Sequence, residues 1–440
     1  MSVGPASMGN DDGGESGGSA PSRRYSAYVL GVLFLVQIVN MADRQMLAIV
    51  MDDIGETFEV SDTAMGFLSG LAFAIFYTIA GLPIARWADT GVRRSILALG
   101  ILVWSAMTAA SGLARSFAQL AIARVGVGVG EATATPTSHS LVSDYFPEQS
   151  RGKALAVLAM GASLGAMIGN IAAGVIADAY GWRSAFFILG IPGIFLALLL
   201  RFTVKEPVRG ASDRAPTEDR TEPLGDVFRF LLGLPAYRHL LIAAAIHYFA
   251  HFGAGMWMPT YLIRVHSMTK TEVGTGLAAA SIASVAGTFF GGWLADRMGP
   301  KNAKWYFWLP ALGTIAALPF WVLTLMSETG STALAWAVPY YFCSAIWSAP
   351  MQATSQSLAR PRMRGMSAAI TSFVITMVGM GLGPLAIGAI SDAYEPTQGA
   401  GSIRTALLML AVVNLWALVH NVMGARTIQE DLRAKEVSLN

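Results

Sequence analysis

Long apolar runs, each near twenty residues, recur along the whole chain and are separated by short clusters of charged residues, glycine and proline. A helix needs about 20 mostly apolar residues to cross a bilayer core of roughly 30 Å. Runs of that kind predict spans at 26–50, 64–85, 95–114, 117–142, 152–177 and 184–204. Six more fall at 237–263, 273–295, 305–326, 332–358, 366–390 and 405–423. The expected fold is an all-α membrane protein of twelve transmembrane helices. Residues 205–236 are polar and charged and read as a linker between a six-helix bundle at 26–204 and a second at 237–424. Residues 1–25, rich in Gly, Ser, Asp and Glu, read as a disordered tail, and 425–440 as a second tail. A basic leader followed by a short apolar core and a cleavage site is missing, so no signal peptide is expected.

Composition supports this class. Of 440 residues, 54% are hydrophobic and 13% charged, against roughly 25% charged in soluble domains. Cys343 has no second cysteine to pair with, which excludes a disulfide scaffold. A net charge of +2 implies no polyanionic partner, and no nucleic acid is expected. Basic residues set the orientation. Arg44 and Arg124 lie inside spans, and the outer loops hold only Arg115, Arg183, Arg264, Lys270 and Arg404. Every other lysine and arginine falls on inner segments if both termini are cytoplasmic, as the positive-inside rule requires. The first outer loop is acidic instead, with Asp52, Asp53, Glu56, Glu59 and Asp62.

The halves repeat each other. Ala88-Asp89 matches Ala295-Asp296 within the runs 85–94 and 292–301. Gly165, Gly169, Gly174, Asp178, Ala179 and Tyr180 match Gly379, Gly383, Gly388, Asp392, Ala393 and Tyr394. A small residue, three others and an aspartate close the second, fifth, eighth and eleventh spans, at Asp89, Asp178, Asp296 and Asp392. The second and fifth spans run in opposite directions. Three-helix units inverted within halves, and halves repeated in parallel, are the pattern of major facilitator transporters, with the substrate site between the halves. An aspartate at a span end can accept hydrogen bonds from a neighbouring helix N-terminus and so latch one conformation. Asp89, Arg93, Arg94, Asp178, Asp296, Arg297, Lys301 and Asp392 are the gating candidates; topological anchoring is the plainer alternative.

Ionisable groups at membrane depth are costly and mark function. Asn40, Asp43 and Arg44 lie in the first span, and Arg124, Glu131 and His139 in the fourth. A rise of about 1.5 Å per residue puts Asp43 and Arg124 both roughly 10 Å below the outer boundary, with Glu131 roughly 10 Å deeper. Burial disfavours an ionised carboxylate and a nearby arginine favours it, so a carboxylate whose arginine partner changes can load and release a proton. Asp43 and Glu131 are therefore the candidate proton-coupling groups. Arg44, Arg124 and Asn40 are candidates for setting their charge state or binding an anionic substrate. A static ion network that only positions helices is the alternative. His247 and His251 stand one turn apart in the seventh span, but no further ligand is evident and no metal is expected. The tenth span offers Gln352, Ser355 and Gln356 without charge. Gly161, Gly165 and Gly169 form a bare helix face for close packing. Pro136, Pro259, Pro350 and Pro384 are candidate kinks.

The run Asn40-Met41-Ala42-Asp43-Arg44 resembles the Asn-x-x-Asp-Arg motif of spinster-type transporters, a family within the major facilitator superfamily. Arg124 to Ala132 resembles their fourth-helix Arg-Gly-x-x-Gly-x-Gly-Glu-Ala run, with Val125 in place of the first glycine. The resemblance implies a bacterial member that moves lysophospholipids or sphingolipids. It implies proton dependence through Asp43 and Glu131, with no cofactor but the coupling proton. Organic-anion transporters of the superfamily carry related motifs, so a proton-coupled carrier of small organic anions is the alternative. No P-loop, nucleophile elbow or zinc motif argues for an enzyme. An inner-membrane monomer with an amphipathic lipid as its substrate partner is expected.

Overall fold

A computed structural model describes residues 22–209 and 224–437. The tail up to residue 21, the linker centre and the last three residues lie outside the described residues. Every regular element described is helical. Among the described residues, nine helices are long and apolar enough to cross a membrane by length and composition, and the last of these, Pro361–Lys435, contains the eleventh and twelfth expected spans in series. The fourth and tenth spans each consist of two shorter helices, Phe117–Glu131 with Ala134–Tyr145 and Gly330–Ala345 with Ser348–Leu358. All twelve expected positions are thus helical.

The two interruptions have one cause. A proline ring clashes with the carbonyl four residues earlier, which for Pro136 is Ala132 and for Pro350 is Ile346. The chain breaks at these residues, and each proline sits in the first turn of the helix that follows, where its missing N–H is harmless. Two boundaries differ from expectation. Leu224–Gly233 in the linker is helical, with Val227 and Leu231 buried one turn apart. The last helix, Ser402–Val437, runs through most of the expected C-terminal tail. Ala425 and Ile428 are buried, and Asp431 accepts from Ala236 N at 2.6 Å, which ties this extension to the start of the seventh span.

Within the first half, span 1 (Arg23–Phe58) packs along span 5 (Glu148–Tyr180), and span 3 (Arg93–Ser111) along span 6 (Trp182–Thr203). Across the halves, span 5 packs on span 8 (Lys270–Met298), and span 2 (Asp62–Thr90) on span 11. Spans 2 and 11 each widen into a π-helical stretch, Phe67–Ala72 and Ile375–Leu382, where they meet. The apolar core shows how the halves join. At the end expected to face outside, one cluster unites Met46, Ile49 and Trp182 of the first half with Trp257, Tyr261 and Trp321 of the second. Toward the inner end it divides into one cluster drawn from residues 29–204 and another drawn from 227–428. The halves are therefore joined at the end expected to face outside, and their cores divide toward the other end.

The bare face of span 5 seats span 1. A Cβ on Gly165 would lie 2.4 Å from Ile38 O, and one on Gly169 2.6 Å from Ala42 Cα. This contact fixes the height of Asn40–Arg44. Gly165→Ala is expected to lower stability by about 1–3 kcal/mol through overpacking. Thermal unfolding in detergent checks it, with Gly152→Ala, which meets nothing within 4 Å, as the unchanged control.

Candidate functional site

Span 1 turns Asp43 and Arg44 toward different partners on span 4. Arg44 Nε donates to Glu131 Oε2 at 2.7 Å, and its Nη2 lies 2.6 Å from the same oxygen. The guanidinium also covers the rings of Phe73 and Tyr77, at 5.1 and 5.7 Å, contacts that favour a cation. Asp43 Oδ2 accepts from Thr108 Oγ1 at 2.8 Å, and Oδ1 lies 3.5 Å from Arg124 Nη1. Arg124 stands over Phe186 at 5.9 Å. The structure thus forms two crossed ion pairs, Asp43 with Arg124 and Arg44 with Glu131, of zero net formal charge. Only Arg44 has appreciable solvent contact, its side chain being 24% exposed.

The pairs are incompletely satisfied. Glu131 Oε1, Asp43 Oδ1, Arg124 Nη1 and Asn40 Nδ2 are buried with no hydrogen-bond partner among the described residues. An unsatisfied buried polar atom costs about 1–3 kcal/mol, although Asp43 Oδ1 and Arg124 Nη1 face each other as an ion pair. Glu131 ends the first helix of span 4, just before the Ala132–Thr133 break. Gly130 lets that end press on span 3, since a Cβ there would lie 2.7 Å from Trp104 N. Thr108 is a site residue that sequence reasoning missed. A hydroxyl in an apolar span gives no signal that separates a carboxylate donor from ordinary bonding to the helix backbone.

Asp178 and Asp392 sit at the end where the halves join, the one expected to face outside, and bridge the halves in the same way. Asp178 accepts from the N–H groups of Lys270 and Thr271 at 3.2 and 2.7 Å, and from Thr271 Oγ1 at 2.7 Å, at the start of span 8. Asp392 accepts from the N–H groups of Asp62 and Thr63 at 2.9 and 2.7 Å, and from Thr63 Oγ1 at 2.5 Å, at the start of span 2. Each carboxylate caps a helix N-terminus of the opposite half. Arg264 adds a third bridge, to Asp52 at 2.5 Å and to both oxygens of Asp62 at 2.8 and 2.9 Å, and Lys270 reaches Asp53 at 3.0 Å. The acidic loop after span 1 thus meets Arg264 and Lys270, two of the few basic residues expected outside.

The inner candidates are placed differently. Arg93 is buried and pairs with Asp144 and, at 2.8 Å, with Glu206. Arg94 N donates to Glu206 Oε2 at 2.9 Å and its side chain to Val204 O at 2.9 Å. Both therefore bind segments of their own half and the start of the linker. Asp89, Asp296, Arg297 and Lys301 are exposed, and Arg297 lies over Trp293 at 5.8 Å.

Among the described residues, the membrane-depth part of the second half shows no equivalent of the ion pairs. Ser355 contacts Ser367 and Thr371 at 2.9 and 3.2 Å, and Tyr237 reaches Ser367 at 3.1 Å, an uncharged hydroxyl network. His247 stacks on Trp347 at 5.0 Å and meets Asn421 Nδ2 at 3.1 Å. No group of three or more metal-ligating side chains exists among the described residues. His139 is exposed on the inner half of span 4.

Two helical halves joined at one end, with buried, crossed ion pairs inside the first, have the build of a membrane transporter. The chain belongs to the Major Facilitator Superfamily, which residues 33–384 match. An MFS-type efflux pump of Mycolicibacterium smegmatis is 33% identical over 393 residues, covering 89% of this chain and 90% of its own. The sphingosine-1-phosphate transporter SPNS2 of Xenopus tropicalis is 25% identical, covering 88% of this chain and 79% of its own. The crystal structure of a bacterial homolog of the human lysosomal transporter Spinster, inward-facing and unoccupied, superposes with a TM-score of 0.87 at 28% identity, covering 93% of this chain and 99% of that one. These similarities uphold the spinster resemblance. The chain is an integral membrane transporter and not an enzyme.

Proposed function

We propose that this protein is a proton-coupled, alternating-access transporter of single-chain amphipathic anions of the lysophospholipid or sphingolipid type. The observation that carries this reading is the neutral, buried quartet of Asp43, Arg44, Arg124 and Glu131 with an unsatisfied oxygen on each carboxylate. A proton on Glu131 leaves Arg44 without a countercharge, and an anionic headgroup supplies one. Proton and anion then favour each other's binding, and by linkage the effect is reciprocal.

The amphipathic substrate is supported by a second feature. Between spans 5 and 8 lies a cavity of about 500 Å³ lined by Ala156, Met160, Leu164, Ile282, Val285 and Phe289, among others. Met160, Ile282 and Phe289 are exposed, so this wall presents an accessible apolar surface. An acyl chain suits such a wall; a small organic acid gains nothing from it. The relative described as a sphingosine-1-phosphate transporter supports the same class. The protein works as a monomer in the bacterial inner membrane with both termini cytoplasmic, in line with the charge bias.

Proteoliposomes with a trapped pH-sensitive dye test the reading. Adding a lysophospholipid under a proton gradient is expected to produce proton flux, with long-chain lysolipids competing and short organic acids not. Flux with small organic anions and none with lysolipids would overturn it in favour of the organic-anion carrier.

A further inference from the structure

Beside the apolar cavity is a second, polar one of about 210 Å³, between spans 1, 5, 7, 8 and 10. Gln45, Asn170, His251, Ser284 and Tyr341 line it. None of these side chains makes a hydrogen bond within the described residues, so amide, imidazole and hydroxyl groups face the space without partners. No carboxylate lines it. Ser163, Ser281 and Val285 border both cavities, which makes them neighbours along one path. At the other end, Gln45 directly follows Arg44 on span 1. The order along this path is neutral hydrogen-bonding groups, then an apolar wall, with the Arg44 cation one residue from its polar end but turned about 100° around span 1 toward Glu131.

We infer that the polar cavity is a binding subsite for the neutral, oxygen-bearing connector of the substrate, the glycerol or amino-alcohol unit between its anionic group and its chain. This deepens the proposed function and rests on its amphiphile reading. Neutral donors and acceptors match hydroxyl and ester oxygens, which carry no charge of their own. The site then selects amphiphiles whose charge is set apart from the chain by such a connector. It disfavours those whose charge adjoins the chain, because the cavity's polar groups would stay unpaired against methylenes. Gln45, His251 and Tyr341 are the specificity-determining residues.

Two probes of equal chain length separate the cases: 1-palmitoyl lysophosphatidic acid and hexadecyl phosphate, which has the same phosphate without the glycerol. Binding of each to the purified full chain in nanodiscs is measured for the wild type, Gln45→Met and Tyr341→Phe. The wild type is expected to prefer the lysolipid by about tenfold, the effect of one or two hydrogen bonds. The variants should lose most of that preference, through weaker binding of the lysolipid and tighter binding of hexadecyl phosphate, and the retained binding of the second probe also reports that they are folded. Equal binding of both probes by the wild type, or an undiminished preference in both variants, overturns the subsite and leaves the amphiphile reading standing. Failure of the wild type to bind either probe overturns the amphiphile reading itself.

Discussion

Glu131→Gln is expected to reduce substrate-linked proton flux in proteoliposomes to the protein-free background while the protein stays folded. Glutamine preserves the shape of the side chain and can still accept from Arg44 Nε through its amide oxygen, but it cannot carry a proton on and off. Removing one partner of a buried ion pair costs about 3–5 kcal/mol. Arg44 is partly exposed and covers two aromatic rings, so the cost falls at the low end of that range. Asp43→Asn makes the contrast. Its partner Arg124 has a side chain only 4% exposed, so its uncompensated charge has no route to water. Asp43→Asn is therefore expected to lower the unfolding midpoint more than Glu131→Gln does. The double variant Asp43→Asn/Arg124→Gln should recover about 1–3 kcal/mol of stability relative to additive singles. Retained flux in Glu131→Gln would remove the carboxylate from the coupling mechanism and reduce the quartet to scaffolding.

Much of this site was legible because membrane depth makes charge conspicuous. Four ionisable groups in two apolar spans stand out, and a rise per residue was enough to set Asp43 level with Arg124, where the structure pairs them. The crossing of the second pair was not legible. Asp43 and Arg44 point about 100° apart, and the rotation of span 1 depends on how Gly165 and Gly169 seat it against span 5. Helix breaks near Pro136 and Pro350 carried a signal, but a proline alone does not distinguish a kink from a restart. The linker helix also left a trace, since Val227 and Leu231 are four residues apart. It was obscured by the surrounding charge. The outer bridges were half legible. The repeat identified Asp178 and Asp392 as equivalent, whereas their acceptance from helix N-termini across the halves needed the three-dimensional arrangement.

Those bridges lead to the second large effect. Asp178→Ala/Asp392→Ala is expected to shift the protein toward an arrangement open at the outer end. Each carboxylate accepts two backbone N–H groups and one hydroxyl from the opposite half. A side-chain cap contributes about 0.5–2 kcal/mol. Losing both weakens outer closure by about 1–4 kcal/mol, a change of roughly fivefold to several hundredfold in a two-state ratio. The carboxylates do not act alone, because Arg264 still binds Asp52 and Asp62, so the closed form should remain measurable. Spin labels at Glu56 and Thr397, exposed positions at the outer end of opposite halves, report the separation in a Cys343→Ser background. Pulsed electron resonance is expected to show a longer distance population in the double variant and an intermediate one in each single. Asp89→Ala and Asp296→Ala should not produce it, because neither aspartate bridges the halves here and the repeat assigns both to the inner end. An unchanged distance distribution in the double variant would mean that apolar packing of Met46, Trp257 and Tyr261 closes the outer end by itself, with the aspartates as helix caps of no conformational consequence.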